Sequence, residues 1–326
     1  MLALAAIAMP GVAAGALAAF TGWVARRARA VVPPLGSFLE LDGSRIHHID
    51  AGPAAQAPPD NPAVLMIHGL GGTMRSFTYA LCEDLEPQFR VVALDRPGSG
   101  YSTRPDDRAS VAHQAGQIAR FIASKNLHRP LVVGHSFGGT IALELALDYP
   151  ECVGGLALIA PLTHPQATIP EPFRSVAIHS PTLRWLVAWT LATPVGIIER
   201  KKMLDVIFGP DVVPDDFATR GGGMLGLRPC SFYSMSTDLM AVGDELTKLA
   251  GRYERLTLPV GILFGSADRI LDARMHGVAM ADKVKGLHLD VIEGGGHMAP
   301  ITAPARTAAF IRHMAVRMRR TPVLAE

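Results

Sequence analysis

Residues 134–138 read GHSFG, a glycine-x-serine-x-glycine pattern with Ser136 at its centre. A short apolar run precedes the pattern, and a stretch with helical apolar spacing follows it. A serine at a sharp turn from strand to helix projects its hydroxyl where the helix dipole favours a developing anion. Glycines on both sides let neighbouring backbone approach closely. The pattern therefore predicts that Ser136 is a nucleophile; the alternative is an ordinary N-cap serine followed by glycines.

A nucleophilic serine needs a base that accepts its proton and an acid that orients this base. Asp268 and His297 each come directly after an apolar run, where an α/β sheet places its functional groups. Asp95 also follows such a run, but it begins a turn-rich loop, in which aspartate commonly shapes the turn. Asp272 falls at the start of the next helix. We predict a catalytic triad of Ser136, His297 and Asp268.

Residues 68–72 read HGLGG and follow an apolar run. Acyl transfer passes through a tetrahedral oxyanion, which needs donors already in place. We predict that the backbone N–H groups of Leu70 and Phe137 form this oxyanion hole. The alternative is a phosphate-binding loop, but neither glycine-rich nucleotide pattern is present here. His68 itself is expected to be structural.

Composition and motif spacing bear on nucleic-acid binding and on metal or cofactor use. The chain has 326 residues and a net charge of +2, which gives no electrostatic case for nucleic-acid binding. Twelve histidines and three cysteines occur, but neither His-Glu-x-x-His nor Cys-x-x-Cys does. We therefore expect no metal and no organic cofactor.

The elements that must position these residues follow from the apolar runs. Runs typical of buried parallel strands occur at 63–67, 91–94, 131–133, 153–159, 259–264 and 287–292. Between them, helical spacing occurs at 76–86, 110–125 and 138–147. This alternation predicts an α/β fold with a doubly wound sheet. An Asp-Gly pair at 42–43 predicts a hairpin before it.

The alternation stops between residues 161 and 256, which contain no clear strand and several apolar clusters that suit short helices. We predict a helical insertion at 161–256, within a core made of residues 36–160 and 257–318.

The N-terminal segment differs from the rest of the chain. Residues 1–24 carry no charged side chain, and three arginines follow within five residues. This pattern predicts a membrane-anchor-like segment at 1–30, with membrane association through residues 2–24. The arginines would hold the catalytic domain on the cytoplasmic side. The alternatives are export after signal-peptide cleavage near residues 16–18, or a peripheral apolar helix.

Five motifs together resemble the α/β-hydrolase superfamily: HG at 68–69, DRPGSGYS at 95–102, GHSFGG at 134–139, GSAD at 265–268 and GH at 296–297. The resemblance runs from about residue 36 to residue 314. It implies a mostly parallel central sheet flanked by helices, with a helical cap where the insertion lies. The segment at 95–102 is similar to the branch of epoxide hydrolases, haloalkane dehalogenases, meta-cleavage hydrolases and esterases. The first two classes place aspartate at the nucleophile position, so Ser136 argues against their chemistry.

We therefore predict a hydrolase that cleaves a small, lipophilic carboxylic ester or related acyl substrate through an acyl-enzyme. The alternatives on the same triad are hydrolysis of a C–C bond, a cofactor-free haloperoxidase and an acyltransferase. A non-catalytic ligand-binding protein of this fold is an alternative from another class. The natural substrate and the oligomeric state stay open. Candidates for an apolar cap wall, or for ordinary cap core, are Trp185, Trp189, Phe232, Tyr233 and Met235.

Overall fold

The computed structural model describes residues 2–52, 61–166 and 168–320. Its described strands form one eight-stranded sheet in the order β1-β2-β4-β3-β5-β6-β7-β8. Their bounds are β1 Ser37–Leu41, β2 Ser44–Ala51, β3 Val64–Ile67, β4 Val91–Leu94, β5 Leu131–His135, β6 Gly155–Ile159, β7 Val260–Gly265 and β8 His288–Ile292. Strands β3 to β8 pair in parallel, whereas β2 is antiparallel to β1 and β4. The predicted α/β fold class is confirmed.

The central strands explain why the sequence showed continuous apolar runs. Every residue of β3, β4, β5, β6 and β7 is buried, because helices cover both faces of the sheet. The predicted hairpin joins β1 to β2. Its turn residues Asp42 and Gly43 have φ angles of 50° and 77°, as a two-residue hairpin loop requires.

The described helices flank this sheet and fill the segment between β6 and β7. Their bounds are α1 Leu2–Val31, α2 Arg75–Thr78, α3 Leu81–Leu85, α4 Val111–Ser124, α5 Phe137–Asp148, α6 Glu171–Arg174, α7 Pro181–Thr190, α8 Ala192–Ile198, α9 Arg200–Phe208, α10 Pro229–Ala250, α11 Ala279–Ala281, α12 Ala299–Thr302 and α13 Pro304–Arg320. The helix predicted at 76–86 is two helices, because Ala80 leaves the helical region with φ −151°.

The segment between β6 and β7, called the insertion below, holds helices α6 to α10, and its described residues form no strand. Helix α10 is its longest element and packs against α4 and α5 of the core. Buried side chains of α10, including Val242, Leu246 and Leu249, belong to the same apolar cluster as the sheet. The insertion is thus joined to the core through a shared hydrophobic contact.

The N-terminal segment forms the long helix α1, but the prediction of a membrane anchor at 1–30 is wrong. Among the described residues, no helix is long and apolar enough to cross a membrane. The C-terminal part of α1 also packs against the insertion at α7 and buries Val24, Ala25 and Ala28. The association predicted for residues 2–24 and the cytoplasmic placement rested on this anchor, so neither is retained.

Candidate active site

Ser136 lies between the end of β5 and the start of α5, at a strained backbone position. Its φ of 55° and ψ of −120° fall in a region that residues with a side chain rarely adopt. The turn is tight because a Cβ on Gly138 would lie 2.1 Å from the carbonyl oxygen of Ile67. A Cβ on Gly134 would lie 2.7 Å from the carbonyl oxygen of Gly138. Both glycines of the pattern are therefore required by the close packing of this turn.

The loops after β7 and β8 bring Asp268 and His297 together. His297 Nδ1 lies 2.7 Å from Asp268 Oδ2, and their side chains are 6% and 1% exposed. Asp268 Oδ1 accepts hydrogen bonds from the backbone N–H groups of Ile270 and Leu271, at 2.7 and 3.1 Å. The carboxylate therefore has one oxygen fixed by backbone and the other on the imidazole.

The charge state of Asp268 follows from these contacts. Burial alone would raise its pKa, but the His297 ring and the two backbone N–H donors outweigh burial and lower the pKa below its usual value. Asp268 is consequently ionised at neutral pH and accepts the proton of His297 Nδ1. This leaves Nε2 of the imidazole as the nitrogen able to accept a proton.

His135 connects the loop that carries His297 to the turn that carries Ser136. Its Nε2 donates a hydrogen bond to the carbonyl oxygen of His297 at 3.0 Å, and the two rings lie 5.0 Å apart. Burial lowers the pKa of His135 to about 3, so this ring is neutral at pH 7. His135 thus holds the backbone of the His297 loop. In the described residues no hydrogen bond joins Ser136 Oγ to His297; such bonds are often long without substrate.

The loop at 68–72 lies directly against the serine. A Cβ on Gly69 would lie 2.9 Å from Ser136 Cβ and 3.4 Å from its Oγ. Leu70, the first predicted oxyanion donor, is the next residue. Phe137, the second, is the first residue of α5, where N–H groups have no acceptor within the helix. Both predicted donors therefore belong to backbone that borders Ser136.

One of the five candidate wall residues, Met235, contacts the loop at 68–72. Its Sδ lies 2.6 Å from the position that a Cβ on Gly71 would take. Trp185 and Trp189 are 56% and 36% exposed, and Tyr233 turns its hydroxyl to a surface aspartate. The insertion therefore places methionine beside the loop at 68–72, called the oxyanion loop below after its predicted role, and the tryptophans face outward.

Asp95 has the turn-shaping role expected from sequence. It is buried and accepts hydrogen bonds from His47 Nδ1 at 2.7 Å and from the backbone N–H groups of Met74 and Tyr101 at 2.8 Å. The side chain of the following residue, Arg96, was not singled out from sequence, although it is fully buried and contacts the oxyanion loop. Within the described ranges, no group of three or more His, Cys, Asp and Glu could hold a metal ion.

Comparison with known proteins agrees with this geometry. A family model described as alpha/beta hydrolase fold matches residues 62–205. The dihydrolipoyllysine-residue acetyltransferase component of the acetoin cleaving system of Cupriavidus necator is 31% identical over 193 residues, which is 58% of this chain and 50% of that protein. The chain therefore spans about half the length of that relative. An uncharacterized protein of Mycobacterium tuberculosis is 27% identical over 86% of this chain and 81% of its own.

The crystal structure of a membrane phospholipase A, described as a bacterial virulence factor, is similar over 98% of this chain and 99% of its own. Its TM-score is 0.68 and its sequence identity 25%. The family model and this solved structure both indicate the α/β-hydrolase superfamily, and the relatives support hydrolase activity.

Proposed function

We propose that this protein is a serine hydrolase that cleaves a carboxylic ester or a related acyl substrate through an acyl-enzyme. The observation that carries the proposal is the buried pair of His297 and Asp268, joined at 2.7 Å and tied through His135 to the strained turn of Ser136. A serine hydroxyl is activated by an imidazole that an ionised carboxylate orients, and this pair supplies both groups.

In the proposed mechanism, Ser136 Oγ attacks the carbonyl carbon of the substrate while His297 Nε2 takes its proton. The N–H groups of Leu70 and Phe137 stabilise the negative charge on the carbonyl oxygen. The bond to the leaving alcohol then breaks, and His297 returns the proton to the alcohol. A water molecule, deprotonated by His297, hydrolyses the acyl-enzyme and releases the acid. Asp268 stays ionised throughout and stabilises the imidazolium.

Two features support a lipophilic acyl group as the first substrate class to test. Met235 borders the oxyanion loop with a flexible apolar side chain. A similar solved structure is named a membrane phospholipase A. We propose that the insertion at 161–256 acts as a cap on the core of 36–160 and 257–318, and that it shapes the acyl pocket through α10.

A series of p-nitrophenyl esters with acyl chains from acetyl to palmitoyl tests this proposal. We expect turnover of at least one ester by the wild type and none above background by Ser136→Ala. Turnover that Ser136→Ala leaves unchanged would contradict the role of the serine. A folded wild type that hydrolyses no ester would favour C–C bond hydrolysis or acyl transfer.

A further inference from the structure

We propose that Arg96 and Asp238 are positioning residues for the oxyanion hole, and that they link it to helix α10 of the insertion. This inference rests on the proposed function, because it assigns a role in the same reaction. In it, the guanidinium of Arg96 fixes the peptide between Gly69 and Leu70, and Asp238 fixes the guanidinium.

The first step concerns the peptide that carries the predicted donor. Arg96 Nη2 donates to the carbonyl oxygen of Gly69 at 3.2 Å, and Nε donates to the carbonyl oxygen of His68 at 3.0 Å. The carbonyl of Gly69 and the N–H of Leu70 belong to one planar trans peptide, in which they point in opposite directions. Fixing the oxygen therefore fixes the direction of the N–H. A cationic donor on the oxygen also polarises the peptide and strengthens the N–H as a donor.

His68 adds a second donor to the same oxygen. Its Nε2 accepts a hydrogen bond from the backbone N–H of Arg96 at 3.0 Å, so the proton of the neutral ring is on Nδ1. This Nδ1 lies 2.8 Å from the carbonyl oxygen of Gly69. Burial, followed by the positive charge of Arg96, lowers the pKa of His68 to about 4, which keeps the ring neutral at pH 7. Backbone and side chain of Arg96 thus both act on one peptide.

The second step concerns what holds the guanidinium. Arg96 Nη1 donates to Asp238 Oδ2 at 2.8 Å, and both side chains are fully buried. Arg104 donates to the other oxygen of Asp238 at 2.6 Å, and Gln114 Oε1 accepts a further bond from Arg96 at 2.7 Å. Because a buried charge that loses its partner is strongly destabilised, the guanidinium stays where the carboxylate of α10 places it.

The same guanidinium also meets the other predicted donor residue. Its Cζ lies 4.9 Å from the ring centre of Phe137, over the aromatic face. Arg96 therefore contacts the peptide of Leu70 on one side and the residue that supplies the second N–H on the other. A shift of α10 moves Asp238, and through Arg96 it moves the oxyanion loop. The insertion then controls the rate of the chemical step as well as substrate access.

The experiment compares Asp238→Asn with the wild type and with Ser236→Ala as a matched control. Ser236 is buried on the same helix, and its Oγ accepts a hydrogen bond from Nε of the buried Arg184 rather than from Arg96. Each variant is assayed for kcat and KM with p-nitrophenyl butyrate. Each is also assayed for inhibition by a trifluoromethyl ketone, whose tetrahedral adduct carries the oxyanion.

For Asp238→Asn we expect kcat to fall about 10- to 100-fold and inhibition to weaken by the same factor, with KM within about threefold. Ser236→Ala is expected to leave all three values within about threefold. If Asp238→Asn does not fold, Arg96→Lys replaces it, because a lysine ammonium can bind Asp238 but cannot bind Gly69 at the same time. The same losses of kcat and inhibition are expected.

A contact that only holds the insertion in place would raise KM and leave kcat unchanged, and this result would overturn the proposal. Equal losses in Asp238→Asn and Ser236→Ala would overturn it as well. Unchanged kcat in the variants, with an active wild type, would refute this role alone. A wild type that neither turns over the ester nor binds the inhibitor would refute the proposed function together with this role.

Discussion

Replacing Asp268 by asparagine tests the acid of the proposed triad while preserving its shape. Asparagine keeps an oxygen that can accept the N–H groups of Ile270 and Leu271, which the aspartate accepts at 2.7 and 3.1 Å. The atom opposite His297 Nδ1, however, becomes an amide nitrogen. The change removes the negative charge and favours the tautomer of His297 whose Nε2 carries the proton. In this tautomer Nε2 cannot accept the proton of Ser136.

The magnitude follows from the geometry. Asp268 Oδ2 lies 2.7 Å from His297 Nδ1 in a site where the carboxylate is 1% exposed. For charge centres about 4 Å apart and an effective dielectric constant of about 20, the carboxylate stabilises the imidazolium by about 4 kcal/mol. This energy corresponds to about 10³ in rate, and the wrong tautomer lowers the rate further. We expect kcat for a p-nitrophenyl ester to fall about 10³- to 10⁴-fold.

Asp272→Asn is the matched control for this substitution. Asp272 Oδ1 accepts the N–H groups of Arg274 and Met275 at 2.8 and 2.9 Å, so it caps a turn in the same manner as Asp268, but its hydrogen bonds in the described part of the chain include none to an imidazole. The kcat of Asp272→Asn is expected to stay within about threefold of the wild-type value. Steady-state kinetics and circular dichroism of both variants give the comparison. A loss below tenfold for Asp268→Asn, or equal losses in the two variants, would refute the reasoning.

Two further predictions concern the oxyanion loop and acid stability. Gly69→Ala places a Cβ 2.9 Å from Ser136 Cβ and is expected to lower kcat at least 100-fold. Gly226→Ala is the control: its Cβ would meet no atom within 4 Å, and we expect unchanged steady-state kinetics. Burial lowers the pKa of His276 to about 4, so the unfolded state binds the additional proton as pH falls below 6.5. The contribution of His276 to the free energy of unfolding, measured in urea, should fall by about 2 kcal/mol from pH 7 to pH 5, and His276→Gln should remove this contribution. A pH dependence of the unfolding free energy that is the same in His276→Gln and the wild type would contradict the prediction.

The sheet was predictable from sequence because its inner strands are buried along their whole length. Runs such as 131–133 and 259–264 contain no polar residue, so they can be recognised as buried strands from sequence. Asp268 and His297 were predicted because each follows such a run at the carboxyl edge of the sheet, and the structure places them 2.7 Å apart. Local patterns were therefore sufficient wherever the deciding contacts lie within a few residues.

The remaining features depend on contacts between distant parts of the chain. Asp238 lies 142 residues from Arg96, on a helix with ordinary composition, so no local pattern marks their ion pair. The apolar N-terminal segment was predicted to enter a membrane. In the structure, Val24 and Ala28 at the C-terminal end of this segment are instead buried in the protein. Hydropathy along the sequence does not tell which of two environments covers an apolar helix.

The measurement that tests the central claim most directly is mass spectrometry of the protein after reaction with a fluorophosphonate. We expect one adduct per chain, located on the peptide that contains Ser136, and no adduct on Ser136→Ala. Ser266→Ala, which changes an exposed serine two residues before Asp268, should react as the wild type does. Labelling of another residue, or a folded wild type that does not react, would contradict Ser136 as the nucleophile.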